Sequence, residues 1–373
     1  MREKTAAAIL CIVLFLGATP GAAGDTRDRY LLKSQFTFEN RGEEGYTLTE
    51  EDTELPLFLE NRWQSMKIKD SSHSILMGRF DEDGNPVAII EVPQEIPAGE
   101  TLVFWVEYLI ESEVMERPEF NMVEAGNIED IPLEIVRKYT SETETFSRDV
   151  EVVTLASELS VNSTSVLETV TYLLGWVVSS VDYCNFEVPR YPEETLEDLE
   201  GDCDDQAILL ISMLRSLGIP AFLQIGVLFS DTLSSSRSSW DGHLSFKQEG
   251  VGWHGWAMVY IPPWGWVPID LTLTKKSDPI EMIREAPEYS KNIVVAFNVS
   301  RQPYIAESHL SRETLTQSDL YVIVSDTVIE DRIKTYGQTA IYIAMGLAAG
   351  IVIVGVVFLL YKRRSKPLTS TVE

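Results

Sequence analysis

Cysteine, histidine and basic side chains are all scarce in this sequence, and each shortage argues against a class of protein. Three cysteines and four histidines among 373 residues provide neither a disulfide framework nor a paired-cysteine metal motif. The 30 lysine and arginine residues are outnumbered by 58 acids, which gives a formal net charge of -28. Nucleic acid would be repelled by this charge, so we expect no nucleic-acid partner, and cationic partners fit better.

Hydrophobic segments lie at both ends of the chain. Residues 1–24 carry two basic side chains, then an apolar run, then small residues, which is the layout of a secretory signal peptide, with an uncleaved anchor as the alternative. Residues 338–361 contain a charge-free apolar run that is long enough for one membrane span of about 20 residues. The basic "KRRSK" follows. The sequence therefore predicts a single-pass protein of the cell membrane, extracytoplasmic for most of its length, with a cytoplasmic tail at 362–373.

Between these segments the sequence changes from a strand pattern to a helical pattern. Residues 25–120 contain short apolar runs broken by Gly, Pro and Asp, which predict an all-β sandwich of the immunoglobulin-like type. Apolar residues then recur every three or four positions, which indicates helices. We therefore expect an α+β protein with a β-sandwich domain at 25–120 and a second domain at 121–335, whose core spans 149–274.

The stretch "EGDCDDQAILLISMLRSLGIPA" predicts a helix with a cysteine on its first turn. Asp202 is a suitable N-cap, and Asp205 three residues later completes a pattern like a capping box. The helix dipole favours ionisation of the Cys203 thiol, whereas the neighbouring acids, Asp204 among them, oppose it. These residues do not settle which effect is larger. A bridge from Cys184 to Cys203 stays possible and would exclude a nucleophilic role.

A histidine and an acid follow in the same domain and could activate this thiol. The histidines are His73, His243, His254 and His309. Of these, His254 opens an apparent strand, and Asp270 follows in "WGWVPIDLT". An imidazole between a thiol and a carboxylate can accept and return a proton. If the connection between the two strands has an odd number of residues, His254 and Asp270 lie on one face of the hairpin.

The segment "GDCDDQAILLISMLRSLGIPA" followed by "HGWAMVYIPPWGWVPID" resembles the transglutaminase-like superfamily, and its membrane-anchored bacterial and archaeal members most of all. The resemblance implies a papain-like core with Cys203 as nucleophile, His254 as base and acid, and Asp270 as the orienting acid. It also implies a sandwich domain of the kind that often precedes such cores. Where the family commonly reads "HAWVEVY", this chain has Gly255 and Met258.

The function that these residues predict is a membrane-anchored cysteine enzyme outside the cell. It would act on protein or peptide amide bonds through a thioester acyl-enzyme, with hydrolysis favoured over crosslinking. The acids around 192–205 could attract a cationic substrate, although a solvated segment is the simpler interpretation. No cofactor is expected, and calcium is a weakly supported alternative. A non-catalytic surface binding or scaffold protein on the same fold is the rival prediction, and a cell-wall hydrolase is a third.

Overall fold

The computed structural model describes residues 27–274 and 277–331, in which strands and short helices are mixed along the chain. The strands are β1 (Asp28–Asn40), β2 (Tyr46–Thr47), β3 (Glu54–Pro56), β4 (Gln64–Ser71), β5 (Ile75–Phe80), β6 (Pro86–Ile90), β7 (Glu95–Ile96), β8 (Thr101–Ser112), β9 (Asp182–Tyr183), β10 (Glu200–Gly201), β11 (Ala221–Ser239), β12 (Leu244–Ile261), β13 (Gly265–Ile269), β14 (Ile293–Val299) and β15 (Leu320–Asp331). The helices are α1 (Leu133–Tyr139), α2 (Val150–Ser160), α3 (Val166–Ser180), α4 (Pro192–Asp198), α5 (Cys203–Ser216), α6 (Pro279–Arg284) and α7 (Tyr304–Thr316).

One curled sheet of eight strands organises this part of the chain. Its order is β14-β11-β12-β15-β1-β8-β4, and β13 pairs with β12 off this path. The strand β1 pairs antiparallel with both β8 and β15, whereas β12 and β15 run parallel. Strands from the beginning and the end of the described chain are therefore neighbours in the middle of the sheet.

The predicted fold class, an α+β protein with a separate immunoglobulin-like sandwich, is wrong. The strands of the first segment form where the pattern predicts them, but β1, β4 and β8 belong to the same sheet as the later strands β11, β12 and β15. The fold is therefore mixed α/β. The error has a physical reason: a period of two identifies a strand but does not identify its partner. The apolar pattern of β8 is compatible with either sheet, and in the structure every second residue from Phe104 to Ser112 is buried.

The turn between β5 and β6 is held against the later part of the chain by hydrogen bonds from its side chains to the backbone there. The carboxylate of Asp83 accepts from the amides of Ser300 and Arg301 at 2.7 and 2.9 Å. The side chain of Asn85 donates to the carbonyl of Asn298 and accepts from its amide, both at 2.8 Å. Since each of these contacts joins residues more than two hundred positions apart, the two halves of the chain are fixed to each other here.

The predicted localisation, a single-pass protein of the cell membrane, is corrected by the structure. Within residues 27–274 and 277–331, no helix is long and apolar enough to cross a membrane. The predicted signal peptide (1–24), transmembrane helix (338–361) and cytoplasmic tail (362–373) lie outside the described residues.

Candidate active site

The helix α5 begins at Cys203, as the sequence predicts, and its first turn is fixed by buried hydrogen bonds. The carboxylate of Asp205 accepts from the amide of Asp202 at 3.1 Å and from the amide of Arg190 at 2.7 Å. Asp205 is fully buried, and Gln206 donates to the carbonyl of Gly201 at 2.9 Å. The rest of α5 is buried in the largest apolar cluster of the described structure. The thiol therefore stands on a rigid support.

The sulfur of Cys203 lies against β12. The backbone amides of Gly255 and of Asp204 favour its ionised form and lower the pKa of Cys203. A Cβ atom at Gly255 would lie 3.0 Å from the Cβ of Asp204 and from the Cδ1 of Ile225, which is closer than carbon atoms ordinarily pack. The glycine in "HGW" therefore permits the close approach of α5 to β12, and this explains its presence where the resembled family has alanine.

His254 and Asp270 are in direct contact, as the hairpin argument requires. The strands β12 and β13 pair antiparallel across a connection of three residues, 262–264, so the odd-length condition holds. The ring Nε2 of His254 donates to Oδ2 of Asp270 at 2.5 Å. The other oxygen, Oδ1, accepts from the amides of Thr272 and Leu273, each at 2.7 Å. The carboxylate is thus held by the loop that follows β13 and is directed at the imidazole.

The three residues singled out in the sequence, Cys203, His254 and Asp270, therefore lie around one point of the fold. His254 and Asp270 share a hydrogen bond, and Gly255, the residue after His254, packs against Asp204, the residue after Cys203. Their catalytic roles stay a prediction. Cys184 and Cys203 are both free thiols, so the alternative bridge is not formed in this structure.

The electrostatics of the thiol oppose its ionisation. Burial raises the pKa of Cys203 well above its ordinary value, the charge of Asp204 raises it further, and the backbone amides of Gly255 and Asp204 lower it by less. Burial and the neighbouring Asp204 also raise the pKa of Asp202 to about 10. The helix dipole is therefore outweighed, and the resting thiol is neutral at neutral pH.

Two tyrosines adjoin the acids around the thiol, and no pattern in the sequence pointed to them. The hydroxyl of Tyr304, on α7, donates to Oδ2 of Asp204 at 3.0 Å. Burial, followed by the charge of Asp204, raises the pKa of Tyr304 well above its ordinary value. Burial, followed by the charge of Cys203, raises the pKa of Tyr183 to about 12. Both phenols therefore stay neutral, and Tyr304 holds one carboxylate beside the thiol.

A second acid, Glu288, lies beside His254 and Asp270 and was also missed. It belongs to a short 3-10 helix, Pro287–Tyr289, and its Oε1 is 3.7 Å from Nε2 of His254. Burial and the charge of Asp270 raise the pKa of Glu288 well above its ordinary range. Burial raises the pKa of Asp270, but its interaction with His254 helps to lower it below its usual value.

The N-terminal strands form part of the wall behind this site. A cavity of about 120 Å³ is lined by Glu288 and Trp256 together with Gln64 of β4. The Gln64 amide donates to the carbonyl of Val295 at 2.7 Å and accepts from the Val295 amide at 2.8 Å. The segment that the sequence assigned to a separate domain therefore contributes directly to the surroundings of the candidate site.

Among the described residues, two groups of side chains have the atom types and spacing that a cation needs. The first is Asp202, Cys203 and Asp204, and the second is His254, Asp270 and Glu288. Within each group the ligand atoms lie within 4.8 Å of one another. In the second group Nε2 and Oδ2 are only 2.5 Å apart and already hydrogen-bonded, whereas an ion would bind each at about 2.0–2.2 Å and separate them. We assign neither group as a metal site.

The charge of Asp204 gives a testable prediction for the thiol. Asp204→Asn removes a negative charge beside Cys203 but keeps an oxygen for the Tyr304 hydroxyl, so the pKa of Cys203 should fall. Alkylation of Cys203 by iodoacetamide is expected to become several-fold faster near about pH 8, with the rate profile moved to lower pH. The control is Asp70→Asn, at an exposed position of β4. Equal rates in Asp204→Asn and Asp70→Asn would contradict the prediction.

Comparison with known families supports the resemblance over the segment that carries these residues. Residues 153–271 match the sequence profile of the transglutaminase-like superfamily. Cys203, His254 and Asp270 all lie within this matched segment. A search of curated proteins found no match to the chain.

Several solved structures resemble the chain at low identity. A candidate cysteine protease from Cytophaga hutchinsonii is 13% identical, with 83% of this chain and 93% of that chain covered and a TM-score of 0.48. The periplasmic domain of TgpA from Pseudomonas aeruginosa, bound to ethylmercury, is 14% identical. The match covers 73% of this chain and 96% of that chain, with a TM-score of 0.34. LapG from Legionella pneumophila is 17% identical, with 52% of this chain and 97% of that chain covered and a TM-score of 0.26. Similarity at this level does not establish a shared activity.

Proposed function

With a transglutaminase-like core at residues 153–271 as the premise, we propose that this chain is a cysteine enzyme that acts on amide bonds of proteins or peptides. The observation that carries the proposal is the placing of three groups at one point. Cys203 begins α5 where the first turn of that helix packs against Gly255, the residue after His254, and Nε2 of His254 is 2.5 Å from Oδ2 of Asp270. A nucleophile, a base and an orienting acid are the parts that acyl transfer needs.

In the proposed reaction the sulfur of Cys203 attacks the amide carbonyl while its proton passes to His254. Because Nε2 of His254 is bonded to Asp270, the nitrogen that takes the proton is Nδ1. The raised pKa of Cys203 favours proton transfer during the attack over an ion pair formed in advance. The carbon–nitrogen bond of the amide then breaks, His254 returns the proton to the leaving amine, and a thioester on Cys203 remains.

The thioester is resolved by a second nucleophile. Water, activated by His254, gives a carboxylic acid and frees the thiol, and a primary amine in its place gives a new amide. Water is in large excess over any amine, so hydrolysis is the fate that we propose. The carboxylate of Asp204 beside the sulfur favours a substrate with cationic side chains near the bond that is cleaved.

The test uses the full chain and a mixture of short peptides that covers all side-chain types. The reaction is run in water enriched in heavy oxygen, with a primary alkylamine present, and products are identified by mass spectrometry. We expect new carboxyl groups with one heavy oxygen to outnumber amine-bearing products. Cys203→Ala and His254→Ala are the matched controls. Equal consumption of peptides by the unaltered chain and by Cys203→Ala would overturn the proposed function.

The raised pKa of the thiol favours one second candidate, a non-catalytic binding protein on the same fold. In that case Cys203 is a buried thiol that His254 does not influence. Alkylation of Cys203 over a range of pH separates the two candidates. If the chain is an enzyme, His254→Ala should change how the alkylation rate of Cys203 depends on pH. If it is a binding protein, the unaltered chain and His254→Ala should give the same dependence.

A further inference from the structure

The acid behind the candidate site, Glu288, is buried, and no lysine or arginine among the described residues pairs with it. Its side chain is 3% exposed, and its Oε1 lies 3.7 Å from Nε2 of His254. Atoms of His254, Asp270 and Glu288 all lie within 4.8 Å of one another. Among the described residues, no lysine or arginine forms an ion pair with either acid. One imidazole therefore faces two carboxyl groups, and all three side chains are buried.

The repulsion between two ionised carboxylates limits the negative charge that Asp270 and Glu288 can carry together. Two ionised carboxylates at this spacing, removed from water, repel each other strongly, and one of them takes up a proton instead. Asp270 is the one that stays ionised, because Oδ1 accepts two backbone amides and Oδ2 accepts from His254. Both oxygens of Glu288 are buried and lack such donors. The proton therefore belongs on Glu288.

We propose that Glu288 is a positioning residue that carries a proton and donates it in a hydrogen bond to Asp270, so that the Asp270 carboxylate stays directed at His254. This inference rests on the proposed function, because it assigns Glu288 a part in orienting the base. Glu288 acts through Asp270 and does not touch the substrate. The two acids together carry one negative charge, which matches the single imidazole that faces them.

The groups around Glu288 are consistent with this assignment. His254 faces it from β12 and Asp270 faces it from the loop after β13. On its own 3-10 helix Tyr289 adjoins it, and Arg117 lies over the Tyr289 ring at 5.4 Å. Burial raises the pKa of Tyr289, so that this phenol is neutral as well. A bound cation is the rival interpretation, and the experiment below includes it.

Infrared difference spectroscopy tests the proton directly, without any substrate. The spectrum of the full chain minus that of Glu288→Gln, at neutral pH and with a chelator present, is expected to contain the carbonyl stretch of a neutral carboxyl group. The control is Glu129→Gln, an exposed position, whose difference spectrum should contain carboxylate bands alone. Carboxylate bands for Glu288 as well would overturn the proposal. A neutral band that is lost when Zn²⁺ is added in equal amount would instead assign the cluster to a cation.

Enzyme kinetics then test the positioning role. Glu288→Ala is expected to lower kcat about 10–100-fold, as loss of a partner that orients a functional group does. Glu288→Gln should recover most of this loss, because its amide can donate to Asp270, and the acid limb of its pH profile should not move. If Glu288 is ionised in the working enzyme, Glu288→Gln removes a charge beside His254 and shifts that limb to lower pH. Such a shift would refute the positioning role.

The two readouts separate failure of this inference from failure of the proposed function. A neutral carboxyl band in a chain that consumes no peptide would support a protonated Glu288 and refute the proposed enzymatic function. A carboxylate band in a chain that cleaves peptides would support the proposed function and refute the protonated Glu288.

Discussion

Asp270→Asn is expected to lower kcat/KM for peptide cleavage by roughly four orders of magnitude, the loss that an equivalent change of an orienting acid causes in serine proteases. The reason lies in how the two oxygens are used. Oδ1 accepts the amides of Thr272 and Leu273, each at 2.7 Å, and an NH₂ group cannot accept them. The carbonyl of asparagine therefore takes that place, and its NH₂ group faces His254.

The consequence of this forced orientation is the wrong tautomer of His254. Nε2 has to accept from the new NH₂ group, so the ring proton moves to Nδ1, the nitrogen that the proposed reaction needs as a base. Steady-state kinetics measure the loss, and nitrogen NMR of labelled histidine reports the tautomer. The control is Asp278→Asn, because Asp278 caps α6 and asparagine caps a helix equally well. A loss of less than about tenfold would show that Asp270 does not orient the base.

Arg215→Met is expected to reduce the free energy of unfolding by about 3–5 kcal/mol, the range for leaving buried polar partners unpaired. Arg215 is 1% exposed and lies in the last turn of α5. Its guanidinium donates to the carbonyls of Ala221 at 2.8 Å, Ser141 at 3.0 Å and Ser300 at 3.2 Å. It also stacks over Phe146 at 4.1 Å. One side chain therefore connects α5 with three other segments.

Methionine fills a similar volume but donates no hydrogen bond, so three carbonyls, two of them in the buried residues Ala221 and Ser300, lose their partner at once. Unfolding in urea, followed by circular dichroism, gives the free energy by linear extrapolation. Arg137→Met, at an exposed position of α1, is the control and should change stability by less than about 0.5 kcal/mol. Equal effects of the two changes would contradict the structural role of Arg215.

Much of the candidate site could be predicted because its residues belong to local patterns. The start of α5 follows from the acids at 202 and 205, and the pairing of His254 with Asp270 follows from the length of one turn. Glu288 belongs to no such pattern. It lies 18 positions after Asp270 on a short 3-10 helix, in "APEYS", where a lone acid resembles any surface residue. Nothing but the tertiary fold brings it to the histidine.

The sequence did not decide whether the Cys203 thiol is ionised, and the reason is different. Helix position and charge sequence suggested opposite effects, and the outcome depends on burial, which sequence periodicity does not measure at a single residue. The same limit applies to the sheet. The pattern at residues 28–40 identifies a strand, but its partner β15 is almost three hundred residues away, and no local signal selects that partner over a nearby one.

The pairing of β1 with β15 also sets an order of events during synthesis. The strand β1 leaves the ribosome early and can pair with β8, but its other edge has no partner until residues 320–331 have been made. The central sheet therefore closes only after nearly all of the described chain exists. Folds that depend on such distant pairs form slowly, and an open strand edge invites association with other chains in the meantime. We therefore expect nascent chains that stop before β15 to bind holding chaperones.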